Sequence, residues 1–403
     1  MSKPEHILLI AFAYEPGRGS EPGVGWNMAH ALAENYRVTV VTRPGPELPD
    51  DDIIPVIRVD AELWPSRTLP EPSSLAGQLY YYAWTRSLAE HLPRILDRTG
   101  ADLVQHTTYV RYWMPSAQET GGRPFVWGPV GGGEGMAQSF LNSLPVAVRR
   151  SEWFRNAVRA TWERDPALRR TAANASVSLA TTPETAARMA ALTQTEIPVC
   201  PVVGLTAAEF DRLSQIRSKT DGPFELLSVG RMLDWKGYDL MVEALASTPK
   251  SVRYTLIGDG PERAGLEALA SRYEVEDRIR FKGWMDREDV LQALENADAL
   301  VHPSYHDSGG MVCLEAMAAG KPVITLEGNG PAVLTGEAGL PVSSPNRGAA
   351  VRGLARATDR LAEDRPLRAH LGDAGRKRVG EQFLWRHRAA AVAQHYPNAG
   401  SAQ

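Results

Sequence analysis

Short apolar runs alternate with helical patterns along nearly the whole chain. HILLIAFAY (residues 6–14) reads as a buried strand, and a Gly/Pro loop leads to VGWNMAHALAEN (24–35), which has helical spacing. YRVTVVT, ADLVQHTT and PFVWGPV are further strand-like runs, the last running into the glycines 131–133. SVSLATT precedes PETAARMAAL, where Pro183 suits a first helical position. Short strands separated by helices predict parallel sheets covered on both faces.

The pattern restarts after a polar interval, SQIRSKTDGP, at 214–223. FELLSVG, YTLIGDG, IRFKG, ALVHP and KPVITL are strand-like; YDLMVEALAS, RAGLEALASRY, DVLQALENA and MVCLEAMAAG lie between or beside them as helices. The expected class is therefore α/β, with two doubly wound units separated near 205–222.

Composition narrows the function without naming it. A chain of 403 residues exceeds what one hydrophobic core normally serves. Its net charge of −4 argues against a dedicated nucleic-acid binder. Two cysteines, Cys200 and Cys313, make no disulfide framework and suit a reducing cytoplasm. The first apolar run is bounded by Glu5 and Glu15 and is followed by no cleavage-like site, so it reads as a strand rather than a signal peptide. No apolar stretch approaches the ~18 residues of a spanning helix. A soluble or membrane-peripheral protein is expected.

Open parallel sheets bind ligands where strand ends lead into helix N-termini. In SVGRMLDWKGYDL, Arg231 and Lys236 lie in the turn between a strand and a helix. Two cations there suit an anion such as a diphosphate, or form a solvated basic turn. YTLIGDGPE ends in a tight turn at 258–260, and IRFKGWM places Gly283 and Trp284 past a strand end. Trp284 there either packs or meets a flat base.

The segment HDSGGMVCLEAMAAGKPVI carries Asp307 before two glycines and Glu315 eight positions later. A helix starting near Gly310 or Met311 points its free amides over the loop, and Gly309 and Gly310 allow close backbone approach. Glu315, about one turn in, is too deep to repel a phosphate yet can reach a neutral diol such as a ribose. Asp307 would face the far side of the same ligand.

Together these motifs resemble the family 4 retaining glycosyltransferases of the GT-B fold. Their signature is an acidic residue, seven intervening residues and a glutamate, then an A-M-A-x-G-x-P-V run; here it reads Asp307, SGGMVCL, Glu315, AMAAGKPV. The resemblance implies two Rossmann-like domains facing a central cleft. These would be 1–205 on the acceptor side, 206–380 for the nucleotide-sugar donor, and a helix in 381–403 crossing back. It also implies roles. Arg231 and Lys236 would hold the donor diphosphate, with the amides of Met311 and Val312 capping it. Glu315 would bind the ribose, the backbone near Gly283 and Trp284 the base, and Asp307 with Gly309 and Gly310 the transferred sugar. The family usually has Glu where Asp307 stands and commonly Phe where Gly309 stands.

In the first half, Gly23 and Gly25 at the start of the first helix would let backbone approach the donor phosphates. The Gly17-x-Gly19 pattern is interrupted by Pro22 as a dinucleotide fingerprint. His106 ends a strand-like run, where the family has a histidine facing the reaction centre. VWGPVGGGEG (126–135) is an acceptor-side loop or a tight crossing. His302 and His306 have i, i+4 spacing, but Pro303 intervenes and no metal site is expected. AMAAGKP imitates a P-loop end but lacks its first glycine. The basic stretch 146–170 sets Trp153/Phe154, Ala157/Val158 and Thr161/Trp162 at helical spacing among arginines. It predicts a core-facing stripe with a solvated arginine face, or a helix resting on anionic lipid.

The expected activity is transfer of a hexosyl unit from a nucleoside-diphosphate sugar, UDP-linked, to a hydroxyl acceptor with retained configuration. The acceptor would be a glycan, a lipid-linked saccharide or a small metabolite. No cofactor and no metal are expected, and the location is cytoplasmic or the inner face of the membrane. A sugar-nucleotide epimerase, a phosphorylase or a non-catalytic binder would carry the same motifs.

Overall fold

The structure is a computed structural model describing residues 3–397 apart from 18–19, 51, 63, 65–69, 71–73, 110, 137, 145 and 218–221. Of Ser20, Gln138 and Ala147 it describes the backbone alone. Gly19 of the Gly-x-Gly pattern, the middle of the polar interval and the tail from 398 lie outside the described residues. The chain forms two compact units. One comprises 1–133, 155–202 and 385–403, and the other 134–154 and 203–384.

The first unit holds β1 (His6–Ile10), β2 (Arg37–Thr42), β3 (Val56–Arg58), β4 (Leu103–His106), β5 (Phe125–Val130) and β6 (Val177–Ala180). They form a parallel sheet in the order β3-β2-β1-β4-β5-β6. The second unit holds β7 (Glu225–Val229), β8 (Arg253–Ile257), β9 (Ile279–Gly283), β10 (Ala299–His302), β11 (Val323–Leu326) and β12 (Gly339–Val342). Their order is β12-β11-β10-β7-β8-β9, again all parallel. Counted from its own first strand, each sheet has the same winding. The order reverses between β1 and β4 and between β7 and β10, and ligands favour such switch points.

Strand periodicity builds the second core. Leu226, Leu256, Val301 and Ile324 enter one buried cluster, while their neighbours Leu227, Ile257, Leu300 and Val323 enter another. Successive side chains thus serve opposite faces, and helices cover both. In the first unit, Phe12 meets Tyr81 and Trp84 edge-on at 4.9 and 5.2 Å, and the Trp84 Nε1–H donates to Val59 O at 2.9 Å.

Three expectations change. The first helix begins earlier than expected, at Ser20, so Gly23 and Gly25, expected at its entry, lie within its first two turns. A Cβ on Gly25 would stand 2.3 Å from Ala13 O, so the packing of the helix on the loop after β1 alone requires that glycine. Residues 134–154, expected in the first half, belong to the second unit. Met136 and Phe140 enter its core, and Phe140 packs on Tyr305 at 5.2 Å. Finally, the aromatic stripe of Val146–Trp162 is not core-facing at its start: Trp153 is 72% and Phe154 64% exposed, while Glu152 and Arg159 are buried. Glu152 meets a polar partner there, its carboxylate lying 3.5 Å from His306 Nε2. No helix among the described residues is long and apolar enough to cross a membrane.

Candidate functional site

At the switch point of the second sheet, three strand-end loops are tied together. After β7, the segment 230–237 carries Arg231 and Lys236 into a short turn, Asp234–Lys236. After β10 come Tyr305, His306 and Asp307, and after β11 the Asn329-capped helix Gly330–Thr335. Tyr305 N–H donates to Trp235 O at 2.8 Å, Asn329 Nδ2 to Ser304 O at 2.8 Å, and Gly330 N–H to Asp307 O at 2.7 Å. Gly237 has φ +65°, and a Cβ there would sit 2.0 Å from Pro303 O, so only glycine lets the two loops meet. Tyr305 O–H also donates to Asp239 at 3.0 Å, and Arg347, charge-paired with Asp239, donates to the same hydroxyl at 3.1 Å.

Asp307 is held on three sides. Its Oδ2 accepts from Lys236 Nζ at 2.5 Å and His302 Nε2 at 3.2 Å, and its Oδ1 accepts from Gly309 N–H at 3.3 Å. Burial alone would raise its pKa, but Lys236 and then His302 outweigh that and hold the carboxyl well below the usual range. His302 is itself lowered, chiefly by burial, so it stands as a neutral donor. His306 stacks on Trp235 with centroids 5.9 Å apart. Arg231 is exposed and makes no side-chain hydrogen bond or ion pair among the described residues.

The helix Met311–Ala318 begins over this loop. Its first turn closes with Cys313 N–H on Gly310 O at 2.8 Å, so the amides of Met311 and Val312 precede the internal bonding. Gly310 has φ +145°, and a Cβ would press on Cys313 Sγ and Pro331 at 3.3 Å. Glu315 lies one turn in and is buried, its Oε1 accepting from Arg287 Nη1 at 2.6 Å. Burial raises its pKa, and Arg287 offsets part of that rise. After β9, Gly283 turns with φ +70° and receives Gly258 N–H on its carbonyl at 2.8 Å. Trp284 stands 81% exposed, so its ring is not part of the core.

The structure therefore gathers Arg231, Lys236, Asp307, Gly309, Gly310, Met311, Val312 and Glu315 at the β7/β10 ends, with Gly283 and Trp284 at the end of β9. Gly23, Gly25 and His106 belong to the other unit. There His106 closes β4 fully buried; its Nε2–H donates to Thr108 O, and Nδ1 has no partner. Burial lowers its pKa to about 4, so the ring is neutral and its Nδ1 is a buried acceptor without a partner. Gly133 packs against Thr185, whose hydroxyl accepts its N–H at 2.9 Å, which gives one glycine of the 131–133 loop a packing role.

Sequence reading missed two side chains. His302 was weighed only as a metal ligand, although its place at a switch-point strand end was a usable signal. Arg287 sits 28 residues from its partner with no motif around it.

Residues 209–378 match the glycosyl transferases group 1 family. That segment is a group 1 glycosyl transferase domain. The chain resembles the lipopolysaccharide core biosynthesis glycosyltransferase LpsE of Rhizobium meliloti, 36% identical over 172 residues, which is 41% of this chain and 48% of the relative. It spans about half the length of the curated relatives it matches. Among solved structures, sucrose-phosphate synthase from Thermosynechococcus elongatus aligns over 97% of this chain and 98% of its own, with TM-score 0.67 and 22% identity. Anabaena HepE in complex with UDP and glucose aligns over 97% and 98%, with TM-score 0.59 and 18% identity. The likeness extends over both sheets, and the fold is GT-B.

Proposed function

We propose that this protein is a retaining hexosyltransferase using a nucleoside-diphosphate sugar, UDP-linked, and a hydroxyl acceptor. One observation carries the reading. Two cations and a helix N-terminus converge on the switch point of the second sheet, with a buried carboxylate one turn deeper. Arg231, Lys236 and the amides of Met311 and Val312 suit a diphosphate, and Glu315 suits the ribose diol beside it. The base would lie by Gly283 and Trp284. HepE, which shares the fold, is solved with UDP and glucose, and LpsE carries the name of a glycosyltransferase of lipopolysaccharide core biosynthesis.

In this reading the protein supplies electrostatics rather than a nucleophile. Charge that develops on the departing diphosphate meets Arg231, Lys236 and the helix amides, fixed before reaction begins. The acceptor hydroxyl attacks from the face the diphosphate leaves, and its proton passes to a diphosphate oxygen. Configuration is retained, and no metal is needed to neutralise the leaving group. Asp307 sets Lys236 and the loop amides, and it reaches the transferred sugar only with whatever capacity that pairing leaves.

The exposed helix face of Val146, Arg149, Arg150, Trp153 and Phe154 combines apolar rings with cations and fits an anionic lipid surface. In this reading the enzyme works at a membrane's inner face and takes a lipid-linked acceptor. Sedimentation with phosphatidylglycerol vesicles should capture the wild type and lose Trp153→Ser/Phe154→Ser; equal capture of both would remove the lipid contact.

The central test is transfer from a panel of UDP-, GDP- and ADP-hexoses to sugar and lipid acceptors, with and without EDTA, reading the product anomer. A new glycosidic bond of inverted configuration, or transfer that stops in EDTA and returns with magnesium, would defeat the mechanism. An isomerised sugar formed without acceptor would make the protein an epimerase.

A further inference from the structure

We propose that Arg287 is a positioning residue for the nucleotide's ribose, acting through Glu315; this rests on the donor reading above. Arg287 opens the helix Arg287–Asn296, three residues after Trp284, and Asp286 caps that helix by accepting from Asp289 N–H at 2.9 Å. A cation in a helix's first turn opposes the helix dipole, so local stability does not explain it. Its neighbour Glu288 is engaged elsewhere, with Arg212. Arg287 instead reaches a carboxylate on another helix, at 2.6 Å.

Glu315 needs such a partner. Its side chain is only 9% exposed, and an unpaired buried carboxylate is costly. The other charge acting on it, Glu209, is repulsive, and burial already disfavours ionisation. On the packed helix Arg365–Gln382, Arg376 and Arg378 donate to carbonyl oxygens of Ala318, Val333 and Leu334 instead. Arg287 thus both favours the ionised form of Glu315 and fixes its plane. Because it occupies Oε1 alone, Oε2 remains to accept from a vicinal diol. Arg287 is about half exposed, so it can reach the carboxylate without itself being buried.

The test compares binding of UDP with 2′,3′-dideoxy-UDP, which lacks the diol, by calorimetry on five proteins: wild type, Arg287→Ala, Arg287→Lys, Glu315→Gln and the double variant Arg287→Ala/Glu315→Gln. The wild type should prefer UDP by about tenfold or more, as a charged hydrogen bond to the diol implies. Arg287→Ala and Glu315→Gln should both collapse that preference to near unity, the double variant should add nothing, and Arg287→Lys should restore part of it. An unchanged preference in Arg287→Ala, with the preference lost in Glu315→Gln, overturns the role of Arg287 alone. Equal weakening of both ligands in Arg287→Ala overturns it too, since the arginine would then act on phosphate or base. A preference that survives Glu315→Gln, or no nucleotide binding by the wild type, brings down the donor reading and this inference together.

Discussion

Replacing Asp307 by Asn tests the most tightly built feature of the second unit. The change keeps the shape but removes a charge that receives Lys236 at 2.5 Å, His302 at 3.2 Å and Gly309 N–H at 3.3 Å. An amide can accept on one side only, so either Gly309 N–H or both Lys236 and His302 must face a donor. Exposed pairs are worth about 0–1 kcal/mol, and removing one partner of a fully buried pair costs about 3–5 kcal/mol. With Asp307 at 19% and Lys236 at 18% exposure, the pair lies between these limits. A loss of about 2 kcal/mol is expected, equivalent to about 4–8 °C in the melting temperature of a unit this size. The pH dependence follows from the depressed pKa of Asp307. Its stabilisation is fully present above the unfolded carboxyl value of about 4 and is lost as pH falls through the still lower folded value. The gap between wild type and variant should therefore be constant from pH 8 to pH 5 and narrow only in stronger acid. Urea unfolding followed by tryptophan fluorescence across that range measures it. A variant as stable as wild type at pH 7 would refute the pairing, and a gap that closes between pH 8 and 6 would refute the argument from Asp307.

Arg231→Ala should behave in the opposite way. Its side chain is exposed and unbonded among the described residues, so stability should stay within about 0.5 kcal/mol. Turnover should fall roughly 10²–10³-fold if the arginine meets the departing diphosphate, and steady-state kinetics on a folded variant decides it. His106 has a folded pKa of about 4, below its unfolded value of about 6.5. The unfolded chain takes up that proton first, so the wild type should lose up to roughly 3 kcal/mol between pH 6.5 and pH 4 on this account. His106→Gln should show a shallower loss over the same window in urea midpoints, and an identical slope would show that the ring is not held neutral.

Periodicity made most of the framework legible and left the edges obscure. Ten of the twelve strands coincide with apolar runs, because strands buried on both faces carry little else. The exceptions are edge strands. Val56–Arg58 has three residues, none fully buried, and Gly339–Val342 contains Pro341, which an edge tolerates because one side of its backbone is unpaired. The basic helix misled for a related reason. Helical spacing shows that Trp153, Ala157 and Thr161 share a face, but it cannot say which face the core takes. Burial went to Glu152, through His306, and to Arg159, whose Nη2 donates to Gly132 O at 2.5 Å.

The same distinction runs through the candidate site. Residues joined by short spacing, such as Asp307, the two glycines and Glu315, were readable because one loop and one helix turn carry them all. What holds those residues comes from elsewhere: Lys236 from the β7 loop, His302 from the end of β10, Arg287 from the helix after β9. Burial raises the carboxyl pKa of each acid of the motif, and each is opposed by a cation from a different segment, fully at Asp307 and in part at Glu315. A motif can be copied from fold to fold as a string, but its protonation and aim are set by such partners. If that is right, exchanging only the spacing residues between Asp307 and Glu315 should disturb nucleotide binding less than removing either cation. A chain with Ser308 and Cys313 replaced by Ala should keep wild-type UDP affinity within about threefold, since neither side chain bonds to either acid. A loss as deep as that of Lys236→Ala would mean that the loop sequence itself, rather than its supports, aims the two carboxylates.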